Sequence, residues 1–314
     1  MISDLIEISP VTPIAADHAD HNRTFIPVGL RAAIGDDPHD FQLYAVLDAA
    51  KIMHLPERLV AADVPHKCLF VGKAMEDYSD VAPWLVQLPL DHELTRDLFS
   101  QGDDYPHLWD AYSGIFIQTA QAFDPVWTHC RKFIMMQDSA EKWVFFRFWE
   151  PSTFRALTDI DRQLEPWLTR FFSGFRYVWP DPETNGERWF TFDLSDTKTP
   201  DHVKLAMGLP TLTALNAAVR ERDLRKDLFV VRDQLNTTDM QHACTDAYLT
   251  QIRAWLMSIG FQQPTHIQDA TFGLAKRFPE GKGNMPDALL QILTDTRKGP
   301  GVRLWHIENW RETL

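Results

Sequence analysis

Apolar positions fall in two kinds of pattern along this chain, and the change of kind divides it. Between residue 41 and about residue 180, short continuous apolar runs alternate with segments whose apolar residues recur every three or four positions. Runs of the first kind, bounded by Gly, Pro or Asp, predict strands; segments of the second kind predict helices. Strands are expected at Phe41–Leu47, Cys68–Val71, Trp84–Leu88 and Gly114–Thr119, with helices at His54–Ala62, Asp91–Gln101 and Pro125–Met136. The densest run, Trp143–Trp149, is aromatic or β-branched at every position but Arg147, and it predicts a central strand covered on both faces. Pro151 ends that strand and opens a helix. This helix carries Phe154, Leu157, Ile160, Leu164, Trp167, Leu168 and Phe171 on its apolar stripe, and Pro166 must kink or divide it. Phe175–Trp179 and Arg188–Leu194 read as two strands joined by a turn at Asn185-Gly186.

Residues 1–40, rich in Pro, Asp and His, read as an irregular lead-in with one short strand at Thr24–Val28. Composition changes near Ser195–Pro200, after which only helical patterns follow. They span His202–Val219, Leu224–Val231, Thr238–Ser258, Thr265–Phe278 and Pro286–Lys298, with a last short one near Trp305–Glu312. The expected fold class is therefore α+β (mixed α/β): a lead-in over 1–40, a sheet domain with flanking helices over 41–195, and an all-helical lobe over 196–314.

Composition narrows the function. A chain of 314 residues with 45% apolar content, 20 Phe and 11 Trp can bury a substantial core and is not disordered. A net charge of −13 speaks against a binder of nucleic acid or an anionic membrane and is compatible with a basic partner. Cys68, Cys130 and Cys244 are too dispersed for a disulfide framework or a zinc site, and read as free thiols. No run approaches the roughly 20 apolar residues of a membrane span. The opening M-I-S-D-L-I-E has neither the basic nor the apolar region of a secretory signal, so the expected location is the cytoplasm.

Candidate chemistry is sparse. Neither a Gly-rich phosphate loop nor a nucleophile elbow occurs, and there is no H-E-x-x-H or calcium-loop pattern. His18, Asp20 and His21 are ligand types without a third partner at metal-site spacing, and Asp36-Asp37 and Asp103-Asp104 sit in turn-like stretches. His129 and Cys130, adjacent on a helix, point about 100° apart and cannot pair with each other. No catalytic residue, metal site or cofactor is expected. Arg147 needs a carboxylate or an aromatic face, and Asp48 at the end of the first strand and Trp149 are the expected partners. Trp84, beside Pro83, suits either core filling or a peptide anchor.

Three segments carry a resemblance. Tyr44-Ala45-Val46-Leu47-Asp48-Ala49-Ala50 is the first. Leu69-Phe70-Val71-Gly72, leading to Ala82-Pro83-Trp84-Leu85-Val86-Gln87-Leu88, is the second. The third is His129-Cys130-Arg131-Lys132-Phe133, leading to Phe146-Arg147-Phe148-Trp149-Glu150-Pro151. In order and spacing they resemble the type VI secretion effector adaptors, the Tap or Tec chaperones, over about residues 41–175. Departures are Cys130 for a usual leucine, Trp149-Glu150 for Tyr-Asp, and Ser173-Gly174-Phe175 where Gly-Pro is common.

The resemblance implies a cytoplasmic, non-enzymatic protein that binds a toxic effector and helps load it onto the VgrG spike. Trp84, Arg147, Trp149 and Glu150 are then the candidate partner-binding residues, with the helical lobe assigned to the effector and the sheet domain to the spike. Two other readings compete. An immunity protein would bind and occlude a cognate toxin. A hydrolase would use a cleft between lobes, with His129, Cys130 or Glu150 in catalytic roles.

Overall fold

The computed structural model of this chain describes residues 4–15, 24–34, 41–102, 107–200, 202–236, 244–279 and 282–310. Two compact units divide it, Met1–Ala218 and Val219–Leu314. The strands of the first unit are β1 (Leu5–Ile8), β2 (Ile14–Ala15), β3 (Gln42–Asp48), β4 (His66–Cys68), β5 (Pro83–Gln87), β6 (Ser100–Gln101), β7 (Gly114–Thr119), β8 (Met135–Asp138), β9 (Trp143–Phe145), β10 (Arg176–Pro180), β11 (Trp189–Asp193) and β12 (Ala206–Met207). Its helices are α1 (Arg31–Ile34), α2 (Leu55–Ala62), α3 (Lys73–Tyr78), α4 (Glu93–Phe99), α5 (Phe123–Lys132), α6 (Pro151–Thr158) and α7 (Pro166–Phe172). The boundary between units falls inside α8 (Leu209–Asn236), and α9 (Asp246–Ser258), α10 (Pro264–Arg277), α11 (Asp287–Thr294) and α12 (Pro300–Asn309) follow. The fold is mixed α+β, with a large antiparallel sheet, flanking helices and a helical C-terminal region.

Seven strands form the main sheet in the order β1-β11-β10-β7-β3-β5-β4, every pair antiparallel. Side chains alternate between its faces, and helices cover both. Tyr44, Val46, Ile117, Tyr177 and Phe192 face a core built with Val126 and Cys130 of α5, Phe154 and Leu157 of α6, and Trp167, Leu168, Phe171 and Phe172 of α7. Leu43, Ala45, Leu47, Phe116 and Val178 face a second core with Leu30, Ala33 and Ile34, Leu55 and Leu59 of α2, and Leu94, Leu98 and Phe99 of α4. The two central strands leave no spare volume where β7 begins. Gly114 lies opposite Leu47, and a Cβ there would sit 1.9 Å from the Val46 carbonyl oxygen.

Several expectations are corrected. The lead-in is part of the sheet unit: β1 pairs with β11, and Val11, Ile26 and Leu30 are buried in the second core. Thr24–Val28 forms no strand; Val28 opens a short 3-10 turn. The largest difference is at Trp143–Trp149. Only Trp143–Phe145 pairs, as the edge of a three-stranded sheet ordered β12-β8-β9, and the chain then leaves the ladder so that Phe146, Phe148 and Trp149 enter the first core. An aromatic run satisfies a packed coil as well as a strand, because apolar burial carries no direction. Pro166 does divide its helix, standing at the first position of α7.

Glu165, just before α7, is buried and accepts hydrogen bonds from the Gly208 and Thr211 N–H groups at 3.0 and 3.2 Å. Its carboxylate thus satisfies the start of α8, where unpaired N–H groups and the helix dipole favour an anion. In the second unit α9–α12 enclose a core of Leu249, Ile252, Leu256, Leu274, Leu289 and Ile307. Arg303 is buried there with its Nη1 donating to the Ile259 and Leu293 carbonyls, at 2.6 and 2.9 Å. The two predicted helices His202–Val219 and Leu224–Val231 are the single helix α8, and the predicted Thr238–Ser258 helix begins at Asp246.

Candidate functional site

The three motif segments converge at one end of the main sheet. Asp48 closes β3 and is 1% exposed. Its Oδ2 accepts a hydrogen bond from Arg147 Nη2 at 2.5 Å, and its Oδ1 accepts from the Ala50 N–H at 3.1 Å. Three residues further along each segment, Lys51 Nζ donates to Glu150 Oε1 at 2.9 Å and to the Tyr112 carbonyl at 3.0 Å. The result is a two-rung ladder, Asp48–Arg147 and Lys51–Glu150, tying the end of β3 to the start of α6. The carboxylates lie inside and the cations lie at the rim, where their long stems keep the charged heads hydrated.

The middle segment joins the same cluster through its backbone. The Ala49 N–H donates to the Ala82 carbonyl at 3.0 Å, and the Leu69 N–H to the Pro83 carbonyl at 2.9 Å. Phe70 packs on Phe145 at 5.9 Å between ring centroids, and Phe145 meets Trp149 edge-on at 5.8 Å. Trp127 Nε1 donates to the Cys68 carbonyl at 2.9 Å, while Lys67 Nζ stands 4.0 Å over the Trp127 ring.

The candidate residues are brought together but play different parts. Arg147 bridges Asp48 and lies 5.6 Å from the Trp149 ring, as the sequence predicts, with 38% of its side chain still open to solvent. Trp149 and Glu150 are buried, so they hold Arg147 and the start of α6 in place and offer little surface themselves. Trp84 is half-buried on β5, and its Nε1 donates to the Ser79 carbonyl at 3.0 Å, fixing the chain where it leaves α3. Lys51 was not singled out in the sequence, although the matched spacing of Asp48 to Lys51 and Arg147 to Glu150 is a signal that could have revealed it.

The remaining candidates are structural. His129 is half-buried, packed against Phe133, Phe171 and Phe175, and its Nε2 donates to the Phe171 carbonyl at 3.0 Å. Loss of hydration in that cage lowers its pKa to about 4, and the positive charges of Lys132 and Arg170 add to the effect. Burial likewise pushes the Cys130 thiol up to about 12, so it stays protonated at neutral pH. His18, Asp20, His21, Asp36-Asp37 and Asp103-Asp104 lie outside the described residues.

Residues 43–173 match the model of a protein family described as a domain of unknown function (DUF4123). This span holds both rungs of the ladder, α3 and the β8–β9 hairpin, and it coincides with the segment that carries the adaptor-like motifs. No curated protein and no solved structure matches the chain. Among the described residues, no helix is long and apolar enough to cross a membrane.

Proposed function

We propose that this chain is a cytoplasmic adaptor that binds a type VI secretion effector and assists its loading onto the VgrG spike, by protein–protein binding and without catalysis. One observation carries the reading. The three motif segments that resemble effector adaptors form a single contact network at one end of the sheet, through the Asp48–Arg147 and Lys51–Glu150 rungs and the Phe70–Phe145–Trp149 contacts. The family match over residues 43–173 supports a general adaptor role, since that family is known as a type VI effector-adaptor domain. Aromatic residues and arginine at the rim of such a network are the side chains that concentrate binding energy in protein interfaces.

The test is co-expression of the full chain with the toxin-like protein and the VgrG protein of the same secretion cluster, followed by purification through a tag on this chain. A complex holding all three, or a toxin delivered only when this chain is present, is the expected result. Protection of cells from the toxin, with no effect on its export, would instead identify an immunity protein.

A further inference from the structure

The adaptor reading leaves open what covers the most apolar part of the surface beside the ladder. Helix α3 has no buried residue, although Met75 and Tyr78 stand three positions apart on one of its faces and Val71 precedes it. A helix of six residues is far too short to persist on intrinsic propensity, which needs about 12–15 residues even in favourable sequences. Its exit is tied down by the Trp84 indole on the Ser79 carbonyl. Next to it, through the Phe70–Phe145 contact, edge strand β9 turns Trp143 and Phe145 outward, 65% and 44% exposed, with Met135 of β8 directly opposite Phe145.

Val71, Met75 and Tyr78 on the helix side, and Met135, Trp143 and Phe145 on the strand edge, are exposed apolar residues joined through the Phe70–Phe145 contact. Large exposed patches of this kind mark interaction sites. Its rim is acidic. Glu76, Asp77 and Asp80 are exposed in the α3 segment against the single cation Lys73, in a chain of net charge −13. Two copies packed α3 against α3 would bring the same carboxylates face to face, and like charges across an interface are strongly disfavoured.

We infer that this surface receives a basic amphipathic helix of a protein partner, its apolar face against Met75, Tyr78, Trp143 and Phe145 and its Lys or Arg residues against the α3 carboxylates. Helix-in-groove recognition of this type uses apolar anchors at helical spacing, and a Met adapts readily to a partner's shape. The inference rests on the reading of this chain as a binding protein, and it supplies the chemistry of one partner.

The experiment uses the full chain and two labelled synthetic peptides of about 18 residues, long enough to form a helix. One is patterned from Leu and Lys, the other from Leu and Glu, and binding is read by fluorescence anisotropy. The Leu/Lys peptide should bind saturably at one site. Tyr78→Asp and Trp143→Asp should each weaken it about tenfold or more, as loss of an aromatic anchor does. Both positions are exposed, so both variants should fold. Val28→Asp, exposed at the start of the 3-10 turn within the lead-in, should leave binding unchanged. Amide exchange over residues 73–78 should slow when the Leu/Lys peptide is bound.

Equal binding of both peptides would overturn the inference, as would Leu/Lys binding indifferent to Tyr78→Asp and Trp143→Asp. Concentration-dependent dimers abolished by those substitutions would also overturn it, because the surface would then belong to a second copy. The two proposals fail separately. Capture of effector and spike by both variants at wild-type levels would sink this surface and leave the adaptor standing. Patch-dependent peptide binding by a chain that captures neither protein would do the reverse.

Discussion

Arg147 and Asp48 lie 99 residues apart in the chain and 2.5 Å apart in space, and Glu150 and Lys51 repeat that separation one rung further on at 2.9 Å. Two segments are therefore matched in register, three residues to three residues, by opposite charges. Because Asp48 is fully enclosed while Arg147 keeps part of its stem in water, the acid carries most of the desolvation cost. Removing the arginine would leave a buried carboxylate without its counter-charge. Arg147→Ala is expected to destabilise the fold by about 3 kcal/mol, and Lys51→Ala by about 1–2, since Lys51 is the more replaceable donor. Urea denaturation of both single variants and the double variant would measure the coupling between rungs. An Arg147→Ala chain within about 0.5 kcal/mol of the parent would show that the ladder contributes nothing.

Gly114 sets a stricter requirement. A methyl group there would meet the Val46 carbonyl of the neighbouring strand at 1.9 Å, between the two central strands of the main sheet, which are close-packed on both faces. Gly114→Ala should cost more than about 3 kcal/mol, seen as a large fall in the thermal midpoint or as insoluble protein. Gly299→Ala, where nothing lies within 4 Å of the new methyl group, is the matched control and should be close to neutral.

The parts of this fold legible in the sequence are those whose hydrophobic pattern has one physical solution. Gly114–Thr119 is a strand as read, because a short apolar run closed by turn residues suits a sheet buried on both faces. Asn185-Gly186 turns the β10–β11 connection because both residues adopt positive φ, +51° and +77°. Trp143–Trp149 is ambiguous in sequence because its composition suits both an edge strand and an aromatic coil packed into the core. The sequence pattern of α8 breaks in two because its middle is charged, yet Glu221 and Arg225, one turn apart at 3.7 Å, support helix in the open. At the ladder, Arg147 was conspicuous as a charge among aromatics. Lys51 was not, because a lysine after a strand is ordinary until its partner is placed beside it.

Thiol chemistry gives a simple check on the packing. Cys68, Cys130 and Cys244 are buried, and burial raises the pKa of all three, that of Cys130 to about 12. Thiolate is the reactive form, so the native chain should react with a thiol-specific chromogenic disulfide at least about tenfold more slowly than in denaturant, where all three should titrate. Fast reaction mapped to Cys130 in the native protein, by mass spectrometry of the labelled peptides, would contradict the enclosure of the first core around it.

His129 makes stability depend on pH with a definite sign. In its aromatic cage the imidazole stays neutral down to about pH 4, whereas its ordinary value is 6.5. Between those values the unfolded chain binds a proton that the native chain refuses, so acid favours unfolding. The contribution is fully present above pH 6.5 and is lost as pH falls towards 4, by up to about 3 kcal/mol. His129→Gln keeps a side-chain N–H able to donate to the Phe171 carbonyl and removes the titration. The stability gap between parent and variant should therefore shrink as pH is lowered from 7 to 4, while carboxylates common to both cancel. A gap that stays constant across that window would mean that the cage admits the charged imidazole, and with it water, at the centre of the α5–α7 packing.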